Sequence, residues 1–143
     1  MTELAKKRPE FRNINALRDL PTYRLPAAGW VSILHRISGF LMFLLLPFII
    51  WMFDQSVTSE YSFAKLNTAL HMGLGFVPGW VIKLVALALI WAYLHHLIAG
   101  LRHLCMDACH AVSKKFGKSS AMVTLALSLG LTLVLGAKLF GIY

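Results

Sequence analysis

LVALALIWAYLHHLIAGLRH, the stretch from Leu84 to His103, decides how the rest of the chain is read. No Asp, Glu, Lys or Arg occurs between Leu84 and Leu101. A helix over that run rises to nearly the thickness of bilayer hydrocarbon, roughly 30 Å. Its far end nevertheless carries His96, Gly100, Arg102 and His103. Histidine is expensive inside hydrocarbon, so this grouping points to a site rather than to packing.

Two more charge-free runs flank it, Ile37 to Phe53 and Ser119 to Ala137. Of the 143 residues, 58% are hydrophobic and 14% charged, and the charges gather between the runs. In lipid, backbone groups must be paired within the segment, so each run is read as a helix. The expected fold is all-α and integral to the membrane, with three transmembrane helices. Residues 1–27 form an N-terminal segment, 28–53 the first span with a kink at Pro47, and 54–79 an outer loop. The second span is 80–109, residues 110–118 a connecting loop, and 119–143 the third span with a short tail. Within the outer loop Phe63, Leu66, Leu70 and Phe76 lie near helical spacing, as for a helix resting on the interface, with His71 on its polar face.

The formal charge of +8 is chiefly a topology signal. Lys6, Lys7, Arg8, Arg12, Arg18 and Arg24 precede the first span, and Lys114, Lys115 and Lys118 lie between the second and third. These regions face the cytoplasm, and the connection from Asp54 to Gly79 faces outward. Glu3, Glu10 and Asp19 among the early basic residues argue against a secretory signal or a transit peptide. Nucleic acid is a poor explanation of the charge, because no aromatic platform is interleaved with it. Cys105 and Cys109 lack the further ligands of a zinc or iron–sulfur site and are read as small packing residues.

This topology brings distant polar residues to one depth. Ser32, His35, Arg36 and Gly39 share one face of the first span at about 100° per residue. A serine one turn from an arginine can offer a hydroxyl and a charged fork to one ligand. On the second span, with His96 at zero, His103 falls about 20° away, Gly100 and Ala92 about 40°, Ala99 about 60° and His95 about 100°. The small residues either give a flat group clearance beside His96 or simply let helices approach closely.

A haem needs an imidazole on iron, an apolar slot and polar groups at its propionates. His96 meets the first need, as a metal ligand on iron, and His35 and Arg36 suit the propionates, with Arg102 and His103 marking the cytoplasmic boundary. His103 is either a polar neighbour of the haem or an alternative ligand, and its place nearer the aqueous boundary favours the former. No equally placed histidine opposes His96, so a second protein ligand has to come from another subunit.

Ser32-Ile33-Leu34-His35-Arg36-Ile37-Ser38-Gly39 and His96-x-x-x-Gly100-x-Arg102-His103-x-x-x-Asp107 resemble the two signatures of the cytochrome b anchor subunits of succinate dehydrogenase, respiratory complex II. The resemblance takes in the Arg8-Pro9 start, Arg24 and Pro26 before the first span, and the spacing of the three spans. It implies half of a hetero-dimeric haem-binding helix bundle in a bacterial inner membrane, with the N-terminus cytoplasmic. A second small anchor subunit would share haem b and supply the other iron ligand, and the iron–sulfur and flavoprotein subunits would dock on the cytoplasmic side. Succinate would be oxidised at the flavin and ubiquinone reduced beside the anchors. Carried over by position, His96 is the axial ligand of the haem iron, Ser32 and Arg36 line the ubiquinone pocket, and His35 and Arg36 approach a haem propionate. The adjacent His95 leaves the pattern ambiguous by one residue, and both the four-residue spacing to Gly100 and the helical arithmetic select His96. The rival readings are a fumarate reductase anchor working with a low-potential quinol and a haem-free structural anchor.

Overall fold

The computed structural model describes residues 13, 15–19, 22–111 and 113–143. Lys6, Lys7, Arg8, Arg12 and the Arg8-Pro9 start lie outside the described residues. A short helix α1 (Ala16–Asp19) is followed by α2 (Ala27–Leu44), α3 (Leu46–Val57), α4 (Glu60–Met72), α5 (Gly79–Cys109) and α6 (Lys114–Leu139). Among the described residues three helices, α2, α5 and α6, are long and apolar enough to cross a membrane. The expectation of an all-α, three-span membrane fold is borne out.

The first span is broken rather than continuous. Leu45, with φ −93° and ψ 11°, separates α2 from α3, and Pro47 stands in the first turn of α3. Proline has no N–H to offer the carbonyl four residues back, so the ladder yields just ahead of it. The third helix starts at Lys114, ahead of the charge-free run, because the Ser113 hydroxyl accepts the Phe116 N–H at 3.2 Å and caps it.

α2, α5 and α6 pack on one another pairwise, whereas α3 packs chiefly against α4. The kink thus carries the C-terminal half of the first span away from the bundle. It leaves an apolar groove of about 430 Å³ between Ile49 and Met52 on α3 and Leu89, Tyr93 and Leu135 on α5 and α6.

In the connection between the first and second spans Ser59 and Ser62 form a reciprocal cap at the start of α4, where the Ser59 hydroxyl accepts the Ser62 N–H at 3.1 Å and the Ser62 hydroxyl accepts the Ser59 N–H at 3.0 Å. Leu66 is buried and His71 exposed on this helix. Phe76 departs from the expected stripe: it lies beyond α4, in the turn of a two-stranded antiparallel pair, Gly73–Leu74 with Val77–Pro78, and is 98% exposed. Gly73 takes φ 112°, and a Cβ there would sit 2.3 Å from the Val77 carbonyl oxygen, so both backbone and space require glycine.

Small residues let the bundle close. Val31, Ala99 and Ala121 are fully buried against one another, flanked by Ala27, Ala28 and Leu125. On α6, Thr124, Ser128, Thr132 and Gly136 repeat every four residues on the buried face. Thr124 and Thr132 return their hydroxyl protons to the carbonyls of Ser120 and Ser128 at 3.0 and 2.6 Å. Their polarity is spent within the helix, which is how a hydroxyl-bearing face is tolerated in an apolar bundle.

Candidate functional site

His35, near the middle of α2, and His96, in the C-terminal half of α5, meet across the α2–α5 seam. Their imidazoles stack with ring centres 4.1 Å apart and 14° between planes. His103, two turns further along α5, lies tilted to the His35 ring with centres 5.5 Å apart. Three of the residues singled out in the sequence are thus one cluster.

The nitrogens of His96 are not equivalent. Nδ1 lies 3.0 Å from the His35 carbonyl oxygen and 3.3 Å from the Ser38 hydroxyl. A carbonyl only accepts, so Nδ1 carries the proton and donates, and in the neutral ring Nε2 then holds the lone pair. Nε2 has no hydrogen-bond partner among the described residues, and it is not sealed from the chain's surface. Gly39 makes the approach possible: a Cβ there would stand 2.9 Å from His96 Cε1 and 3.2 Å from Nδ1.

His95 has the opposite environment. It is fully buried, stacks on Trp91 at 5.5 Å and sets Nδ1 3.2 Å from the Ser128 hydroxyl of α6. Its Nε2 is buried without a hydrogen-bond partner among the described residues. The α5 seam of Ile82, Ala86, Leu89, Ala92, His95, Ala99 and Arg102 runs through it, so no planar group reaches His95 without parting the helices.

Several expectations change at this point. Ala99 does not provide clearance beside His96, because Val31 and Ala121 fill that space, as close helix packing requires. Gly100 faces His35, where an added Cβ would make an ordinary 3.6 Å contact with Nε2. Arg102, read as a marker of the cytoplasmic boundary, turns inward. It is buried, donates from Nε to the Ser120 hydroxyl at 2.9 Å and from Nη2 to the Gly117 carbonyl at 3.2 Å, and so ties α5 to α6. Cys105 and Cys109 are exposed rather than packed.

Ser32 is half-buried and Arg36 exposed, one turn apart on α2. Neither side chain joins the histidine cluster by a hydrogen bond among the described residues. Sequence reasoning passed over Ser38, which is fully buried, donates to the His35 carbonyl at 2.9 Å and touches His96. Its position three residues after His35 was the available signal, since a helical serine commonly returns its proton to a carbonyl one turn back.

The family described as Succinate dehydrogenase/Fumarate reductase transmembrane subunit matches residues 7–135, nearly the whole chain and both histidine motifs. The chain belongs to that family. Similar curated proteins carry the same assignment. The succinate dehydrogenase cytochrome b556 subunit of Coxiella burnetii is 36% identical over 110 residues, 77% of this chain and 83% of its own length. The cytochrome b556 subunit of Paracoccus denitrificans is 32% identical over 115 residues, 80% of this chain and 83% of its own. The cytochrome b560 subunit of Reclinomonas americana is 30% identical over 117 residues, 80% of this chain and 78% of its own. The protein is therefore a cytochrome b-type membrane anchor subunit of complex II, and the likeness read in the two motifs is borne out.

Proposed function

We propose that this anchor holds a b-type haem through His96 and contributes Ser32 and Arg36 to a site where ubiquinone is reduced. The observation that carries the haem assignment is the bond from His96 Nδ1 to the His35 carbonyl at 3.0 Å with Nε2 left open. Metal-bound histidines almost always donate their other ring N–H to a carbonyl or carboxylate, which fixes tautomer and ring orientation. His96 has that arrangement with its other nitrogen open, whereas both nitrogens of His95 are buried in the helix seam, so the donor chemistry fits a haem at His96.

When bound, the haem supplies a one-electron carrier within the hydrocarbon. His96 would hold the iron, the His35 carbonyl and Ser38 orient the imidazole, and Arg36 and the His35 ring, with His103 beyond it, meet a propionate. A second protein ligand to the iron would come from a partner anchor, since no histidine among the described residues stands opposite His96.

Reducing the quinone takes two electrons and two protons. The Ser32 hydroxyl donates a hydrogen bond to a quinone carbonyl oxygen, and the Arg36 guanidinium offsets negative charge that develops there. Arginine stays charged throughout the accessible pH range, so it stabilises without delivering protons. Water or a partner's side chain brings them from the cytoplasmic side. Arg24, Lys114, Lys115 and Lys118 lie at that end of the bundle, which by the positive-inside rule faces the cytoplasm of a bacterial cell and receives the iron–sulfur and flavoprotein subunits.

The test is the spectrum of the purified complex. His96→Leu abolishes the sharp visible band of the reduced b-type haem or shifts it to a misligated form, whereas His95→Leu keeps the native band in whatever complex assembles. A native spectrum from His96→Leu refutes the assignment.

A further inference from the structure

Three donors converge on the His35 carbonyl oxygen. As the carbonyl one turn back in α2 it accepts the backbone N–H of Gly39. It also accepts the Ser38 hydroxyl at 2.9 Å and His96 Nδ1–H at 3.0 Å. A carbonyl has two lone pairs, so the three bonds share a limited basicity. Ser38 is fully buried and only 3.3 Å from Nδ1, so no water substitutes for its hydroxyl and no other side chain adjusts that bond among the described residues.

We infer that Ser38 is a positioning residue that sets the reduction potential of the haem held at His96, by drawing off part of the carbonyl basicity that otherwise acts on the His96 N–H. This rests on the haem assignment proposed above. Its direction follows from ligand chemistry. A stronger bond from Nδ1–H makes the imidazole a better donor at Nε2, and a better donor favours oxidised iron over reduced iron. The Ser38 proton, donated at 2.9 Å, weakens that bond by more than the longer 3.3 Å contact of Nδ1–H with the Ser38 oxygen restores, and so favours the reduced form. The couple itself gains or loses one electron at the iron, and no proton leaves Ser38 or His96.

Ser38→Ala removes the competing donor while keeping the helix and nearly all of the buried volume. The equilibrium constant for reducing the haem then falls about threefold to tenfold, which is roughly 30 to 60 mV at 59 mV per decade for a one-electron couple. Potentiometric titration of the haem in the assembled complex reads this directly, with haem content and the reduced-band position measured on the same sample. Ser38→Thr keeps a hydroxyl able to bond back to the same carbonyl and holds the potential near native. Should Ser38→Ala fail to assemble, Ser38→Cys, of similar shape but with a weak S–H donor, shows the same fall. Full haem content with an unchanged or raised potential overturns the role of Ser38 and leaves His96 standing. A native band in His96→Leu instead overturns the haem assignment and this inference with it.

Discussion

Replacing Gly39 with alanine adds one methyl group and, on helix propensity alone, favours α2 by close to 1 kcal/mol. The new Cβ would stand 2.9 Å from His96 Cε1 and 3.2 Å from Nδ1, and ordinary contact begins near 3.4 Å. One of the two groups has to retreat by about 0.5 Å, a shift that costs roughly 1–3 kcal/mol in a packed site. If the ring moves, the 3.0 Å bond from Nδ1 to the His35 carbonyl stretches to the edge of hydrogen bonding, and a further 1 kcal/mol or so is lost. Disturbing the partner of a metal-bound histidine typically lowers metal affinity about 10- to 100-fold. Gly39→Ala is therefore expected to give complex with normal flavin content and substoichiometric, easily lost haem. The ratio of reduced-haem absorbance to flavin, followed through purification, measures the loss. Full haem retention with an unchanged band would refute the claim that His96 is seated against Gly39.

Arg102→Leu removes two bonds between α5 and α6, at 2.9 and 3.2 Å. About 1–3 kcal/mol of stability should go with them, read as faster thermal loss of haem absorbance in detergent. Arg102→Lys should restore little of it, because an ammonium lacks the planar fork that reaches both acceptors. Ser32→Ala and Arg36→Leu should depress succinate–quinone turnover by tenfold or more, on the order of 1.4 kcal/mol at the barrier, while succinate oxidation with an artificial dye stays largely intact. Equal loss of both activities would make these residues structural instead.

The three spans could be read from sequence because lipid offers the backbone no alternative partners. That His95 and His96 lie in different surroundings was equally legible: 100° of rotation per residue separates neighbours onto different faces, and those faces have different fates here. What stayed hidden is the rotation of each helix about its own axis. In water an apolar stripe announces the buried face, but in a membrane lipid-facing and protein-facing residues are both apolar. Exposed Leu97 and Leu101 look no different in sequence from buried Leu89. The use of Ala99 as packing, the inward turn of Arg102 and the contact of Ser38 with His96 all depend on that rotation. The break at Leu45 was foreshadowed by Pro47, but the outward swing of α3 follows from its packing on α4.

The bond between the His35 carbonyl and His96 joins positions 61 residues apart. At a synthesis rate of about 5–20 residues per second, α2 waits roughly 3 to 12 seconds in or near the membrane before the second half of the pocket is made. During that interval Gly39 opens onto an empty groove where the imidazole will later rest. A haem held at His96, as proposed above, would therefore enter only after the second span has docked.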